Sequence, residues 1–273
     1  MMRNLFVDNS IQIIDGTLIE CNVTVQEYSV PEEVHTIGPD AFRDAHISRI
    51  ILPEKMERIN YAAFRGCTAI EIVLPSCARF IDAFAFAGST CPHLALPEGL
   101  LVISRNAFEA SALVTLELPS TVQVIEAEAF RECSKLRKAI VSGRTIGRKA
   151  FWKCIHLEEI KVMAALSIGE IAFAECRSLE TIKLHEGLRT IGVAAFRNCQ
   201  RLKKMSIPKS VMEISNKAFY GCYNLAITAP KHLDENFRKG CINPTGYMTE
   251  YADDFTIGAV LDRGAKLTFR EEG

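Results

Sequence analysis

One spacing governs this chain. Phe42, Phe64, Phe86, Phe108, Phe130, Phe151, Phe173, Phe196 and Phe219 follow one another at intervals of 22, 22, 22, 22, 21, 22, 23 and 23 residues. Each is preceded by Ala, from Ala41 to Ala218, and each has Ile five positions earlier, from Ile37 to Ile214. Six carry Cys three positions later: Cys67, Cys133, Cys154, Cys176, Cys199 and Cys222. Nine in-phase copies of I-x-x-x-A-F are not chance. A period of this length marks one supersecondary unit stacked many times, because a single unit cannot bury its own apolar row.

Between the Phe anchors runs a second pattern, L-x-x-[IL]-x-L, as in Leu113 to Leu118 and Leu179 to Leu184. It is often closed by Pro: Pro53, Pro75, Pro97, Pro119, Pro208 and Pro230. Apolar alternation over so few residues predicts a short strand with one face buried. Proline has no N–H to donate, so the ladder stops there. The I-x-x-x-A-F-x-x-C segment is compact enough to form a helical or 3₁₀ turn. Stacking then places Leu, Ile, Ala, Phe and Cys in columns through one core, with the small Ala leaving room for each ring. Rings of this kind bury roughly 150–250 Å² each. With strands ~4.8 Å apart, nine coils make an array about 40 Å long.

These residues carry a resemblance. L-x-x-I-x-L-P followed by I-G-x-x-A-F-x-x-C resembles the BspA-type leucine-rich repeat of bacterial surface antigens. Ile146-Gly-Arg-Lys-Ala-Phe151-Trp-Lys-Cys154 and Ile191-Gly-Val-Ala-Ala-Phe196-Arg-Asn-Cys199 match it. The resemblance covers about residues 33–230, and Ile14-Asp-Gly-Thr-Leu-Ile19 and Tyr28-Ser-Val-Pro31 resemble the partial repeat that opens such arrays. It implies an α/β leucine-rich-repeat solenoid: a right-handed superhelix of about nine coils of 21–23 residues, with one parallel sheet of short strands. Residues 1–32 are expected to cap the first coil and residues 231–273 the last, since terminal coils would otherwise expose the core. In the latter, Phe255–Leu261 and Ala265–Phe269 around Asp262-Arg-Gly264 predict a hairpin.

Composition removes several function classes. With 32 Lys+Arg against 33 Asp+Glu, net charge is -1, so no bulk field points to nucleic acid or a membrane surface. No apolar run approaches the ~18–20 residues that span a bilayer, and the N-terminus lacks the apolar core of a signal peptide. A cytoplasmic location is therefore expected; the family resemblance supplies the alternative of a secreted or cell-surface protein.

The ten cysteines invite a redox, disulfide or metal reading. No Cys-x-x-Cys occurs, and consecutive coils set the thiols side by side with parallel Cβ directions, poor geometry for a disulfide. Structural thiols in a reducing compartment fit better. In the stack His156 comes within reach of Cys154 or Cys176, which raises a Cys–His nucleophile; a solvent-facing His is the plainer expectation. Gly38, Gly147, Gly169 and Gly192 each follow the repeat Ile and are expected to be turn glycines. Acidic pairs such as Glu158-Glu159 and Asp253-Asp254 read as solvated faces, and Asn22-Val-Thr24 as an unused glycosylation pattern. Nothing assembles a nucleophile, base and oxyanion site. No enzyme, cofactor or metal is expected.

What remains is the outward face of the strands. Its x positions read Arg49 in coil one, Glu117 in coil four, and Arg137 and Lys138 in coil five. Glu158, Glu159 and Lys161 follow, then Glu180 and Lys183, then Lys203 and Lys204. Coils two and three depart from the pattern by a residue or more. The face is thus expected to be banded, basic, then acidic, then basic, and suited to a protein or peptide of complementary charge. Aromatic residues are nearly absent from it, which argues against stacking on nucleic acid. The expectation is a monomeric, non-catalytic interaction scaffold without membrane insertion. The alternatives are an adhesin for host matrix or cell-surface protein, implied by the resemblance, and a structural module whose sheet only stays soluble.

Overall fold

The structure, a computed structural model, describes residues 4–6, 11–21, 23, 25–215, 217–233 and 266–270. We number the coils one to nine by their Phe, from Phe42 to Phe219. The single sheet expected from sequence is replaced by two parallel ladders. The first consists of two-residue strands on the repeat isoleucines: Arg58–Ile59, Phe80–Ile81, Val102–Ile103, Val124–Ile125, Thr145–Ile146, Ser167–Ile168, Thr190–Ile191 and Glu213–Ile214. They pair Ile on Ile throughout.

The second ladder carries the leucine pattern and comes in two pieces. Glu27–Ser29, Arg49–Ile51 and Glu71–Val73 form the first. Thr115–Glu117, Lys138–Val141, Glu159–Val162, Thr181–Leu184, Lys204–Ser206, Ala226–Pro230 and Lys266–Arg270 form the second. The break falls at coil three, and Pro92 explains it. In the neighbouring coils this position donates its N–H to the coil before, as Ile70 does to the Ser48 carbonyl and Val114 to that of Pro92. Pro92 has no N–H to give; the Ile70 carbonyl is approached instead by the Cys91 thiol, at 3.5 Å.

The segment around each Phe is not helical. The one helical piece among the described residues is the 3₁₀ turn Lys231–Leu233, so the helical half of an α/β label does not apply. Each coil instead places two residues in the left-handed region, two positions before and two after its Phe: Asp40 and Asp44, Asn106 and Ala110, Lys149 and Lys153, and so on to Lys217 and Gly221. Glycine takes such a position only at Gly66, Gly88 and Gly221. Elsewhere even Phe84 (φ 60°) and Ile171 (φ 59°) adopt it, against a cost of ~1–2 kcal/mol per residue. The compensation is a third set of bonds between coils. Asp40, Phe42 and Asp44 donate their N–H groups to the carbonyls of Tyr61, Ala63 and Arg65, and the pattern recurs coil after coil, always toward the following one.

The expected turn glycines are something else. Gly147, Gly169 and Gly192 have no left-handed φ. A Cβ on Gly169 would lie 2.8 Å from the Gly147 carbonyl carbon, and one on Gly192 2.7 Å from that of Gly169. They let backbones approach, and form a column of their own.

Inside, the nine Phe side chains are fully buried. Their rings stack with centroids 4.9–5.7 Å apart and planes within 14° of parallel. A further buried column, Val34, Met56, Ala78, Leu100, Val122, Ala165, Leu188 and Val211, lies eight residues before the Phe in every coil but the sixth, where Gly143 stands, and Leu233 continues it past coil nine. Its mixed residue types hid it in the sequence. At the N-terminal end Asp15 and Gly16, both at positive φ, make the two-residue turn of an antiparallel hairpin between Ile11–Ile14 and Thr17–Cys21. Thr17–Cys21 then pairs in parallel with Thr36–Ile37, and the Tyr28 ring tilts against Phe42 at 6.2 Å. At the other end Lys266–Arg270 pairs in parallel with Ala226–Pro230; the first arm of the expected hairpin, Phe255–Leu261, lies outside the described residues.

Candidate interaction face

The Leu ladder sets its outward residues in rows. Because parallel strands pair in register, Lys138, Glu159, Thr181 and Lys204 lie side by side. Glu117, Ile140, Lys161 and Lys183 form the adjacent row. Arg137, Glu158, Glu180 and Lys203 stand one residue ahead of their strands, and N–H···O bonds from Glu158 to Arg137 and from Glu180 to Glu158 align them too. None of the eleven residues singled out from sequence is buried.

Their charges are less banded than the sequence implies. Arg137 donates to Glu158 at 2.6 Å across adjacent strands. Glu159 faces Lys161 at 4.0 Å, and Glu180 faces Arg201 at 3.7 Å. Every carboxylate of the expected acidic band thus has a cationic partner. Lys138, Lys183, Lys203, Lys204 and Glu117 have no ion-pair partner among the described residues. Far from them, on the first piece of the ladder, Arg49 bridges Glu27 at 3.0 Å and Glu71 at 2.7 Å. These two bonds, Glu27 first, hold its guanidinium above its ordinary pKa.

At the break, a groove of about 670 Å³ opens on the same face. His93, Leu94, Ala95 and Leu96 of the unpaired coil form one wall, and Glu117, Ile140 and Met163 the other. Sequence reasoning missed it. The available signal was Pro92 one residue ahead of the expected strand.

The cysteine column offers no accessible nucleophile. Cys133, Cys154, Cys176, Cys199 and Cys222 are buried, and each thiol donates to the carbonyl of the Phe in the preceding coil, at 3.0–3.2 Å. Burial pushes Cys67 up to about 12, and Cys154, Cys176 and Cys199 well above the ordinary thiol value. His156 turns away from them, its Nδ1 2.5 Å from the Ser134 carbonyl. Among the described residues no three His, Cys, Asp or Glu side chains gather to hold a metal ion.

The turn side also carries charges that the repeat obscured. Glu175, nearly buried, accepts from Asn198 at 2.6 Å and from Arg177 at 3.0 and 3.1 Å. Burial alone would raise its pKa; these bonds and the nearby Arg197 outweigh it and hold the carboxyl below the usual range. Trp152 is ringed by Arg131, Lys149 and Lys153 at 4.4–5.1 Å, yet Arg131 and Lys153 are themselves paired with Glu128 and Glu132.

The BspA type leucine rich repeat region matches in six copies, over residues 12–137, 58–167 and 144–243. The chain belongs to that family. Solved structures similar to this BspA-type chain include the T. pallidum leucine rich repeat protein, 23% identical over 68% of this chain and 82% of that one, with a TM-score of 0.51. A leucine-rich repeat protein from Bacteroides ovatus is 17% identical over 98% of both chains, TM-score 0.40. A leucine rich cell surface protein from Faecalibacterium prausnitzii is 18% identical over 100% of this chain and 95% of that one, TM-score 0.39. No curated protein matches. The first of these likenesses supports the solenoid fold and nothing further. Among the described residues no helix is long and apolar enough to cross a membrane.

Proposed function

We propose that this BspA-type chain is a monomeric, non-catalytic scaffold that docks a protein or peptide partner on the outward face of its Leu ladder. The observation that carries this reading is the seven-strand piece of that ladder, whose register lays solvent-facing, mostly charged side chains in rows. Rigid rows of this kind give a partner register and on-rate. The buried, hydrogen-bonded thiols favour a structural over a catalytic role for the cysteines. They also favour a reducing compartment, where free thiols persist; fractionation that recovers the protein only outside the cell would overturn that assignment.

The test of the face is partner capture. Lys203→Glu/Lys204→Glu, at two exposed positions, is expected to retain the wild-type circular dichroism and melting curve. In a pull-down from the native cell it is expected to lose the wild-type partner. Capture by the variant at the wild-type level would remove this surface from consideration.

A further inference from the structure

Resting on the docking reading above, we infer that the partner segment is an extended acidic peptide with an apolar anchor, the anchor seated in the groove at coil three and the acidic stretch crossing the lysines of coils five to eight. Three observations converge on it. First, ion pairing is lopsided. Glu158, Glu159 and Glu180 are satisfied by Arg137, Lys161 and Arg201, which leaves Lys138, Lys183, Lys203 and Lys204 as the uncompensated cations of this stretch. Across coils five to eight the carboxylates of this face are paired and these ammonium groups are not, so that stretch attracts carboxylates; the unpaired Glu117 lies ahead of it, at the groove.

Second, the groove adjoins those cations. Ile140 lines it and follows Lys138 by two residues on the same outward side of its strand. Ile140 is also in register with Lys161 and Lys183 across the next two strands. Leu94, Leu96, Ile140 and Met163 give the groove apolar wall beside the carboxylates of Glu98 and Glu117, and Met163 is 54% exposed. An unbranched thioether at the rim adapts to an entering side chain. Third, the dimensions fit. Four strand steps separate coil four from coil eight, about 19 Å, which about six extended residues span.

A nucleic acid fits less well. Its bases would find no aromatic platform in these rows.

Fluorescence anisotropy of the intact protein tests the inference. The probe is a labelled peptide of two leucines followed by six glutamates. Its controls are the same peptide with Gln for Glu, the same with Ser for Leu, and a twelve-residue oligothymidylate. Each control is expected to bind at least about tenfold more weakly than the probe, and Lys183→Glu/Lys204→Glu is expected to lose the probe by a similar factor. Equal binding of the Gln peptide, equal binding of the oligothymidylate, or an unaffected charge variant would overturn the acidic assignment. Equal binding of the Ser peptide would overturn the anchor. A Thr181→Trp variant separates this from the docking reading, since it obstructs the middle of the face without altering charge. If Thr181→Trp abolishes native-partner capture while the peptide series fails, docking on the face stands and the acidic partner falls. If Thr181→Trp leaves capture intact, the face itself is wrong.

Discussion

Coils one to four and coils five to nine share the same Phe column but close their corners differently. In the first group the first inward residue of the leucine pattern stands five positions after Phe: Ile47, Ala69, Cys91 and Leu113. In the second it stands six after: Leu136, Leu157, Leu179, Leu202 and Leu225. That extra residue changes the bonding. In the first group the corner N–H groups of Thr68, Thr90 and Ala112 reach back to carbonyls of the previous coil. In the second, the Leu N–H closes a turn onto the Cys carbonyl of its own coil, and the Cys thiol takes over the bond to the coil before. The longer piece of the Leu ladder runs through the second group, starting from Thr115–Glu117 of coil four. Cysteine at this position is thus a small hydrophobe with a donor, and it recurs where the corner has room to use it.

Two pairs of substitutions and one single change probe this difference, in order of expected size. Phe151→Ala, within the second group, should cost about 3–5 kcal/mol through lost burial and the cavity left between two stacked rings. Phe86→Ala, beside the sheet break, should fall at the lower end of that range, because neighbours there are held by fewer bonds and relax into the void. Urea denaturation of both variants decides it; a larger loss at Phe86 would break the comparison. Next, Cys176→Ala should cost more than Cys67→Ala by about one hydrogen bond, ~0.5–1.5 kcal/mol, since only the former donates to a Phe carbonyl of the preceding coil. Equal unfolding midpoints would mean the thiol bond contributes nothing. Smallest is a gain. Pro92→Val restores the missing donor opposite Ile70 and should stabilise by about 0.5–1 kcal/mol. It should also bring slowed amide exchange at residues 92–95. Unprotected amides there would show that Pro92 is not what parts the ladder.

Much of this was legible in the sequence, for a physical reason. Stacked coils put like residues in like environments, so Phe, Ile, Ala and Cys repeat because each must fit the neighbour above and below. The outward positions were legible as well, since strand alternation alone assigns Arg137, Lys138 and their counterparts to the surface. What escaped were features set by bonds between residues about 22 apart that leave no common residue type behind. The left-handed positions are filled by Asp, Asn, Lys, Glu, Ala, Phe and Ile alike, because it is the bond to the next coil, not the side chain, that holds them. The glycine column resembled a set of turns because a close approach and a positive φ both call for glycine. The banding of the face dissolved for the same reason: Glu158 and Arg137 are distant in sequence and 2.6 Å apart in space.

The bonds on the turn side all run one way, each coil donating to the one after. The solenoid therefore has a head and a tail that differ in kind. Its first coil turns carbonyl acceptors toward the opening hairpin, where the one on Ala41 is met by the N–H of Cys21; its last coil lies at the donor end of the same ladder. A closing element that works at one end cannot serve at the other. Copies joined through this side in a filament would all point the same way.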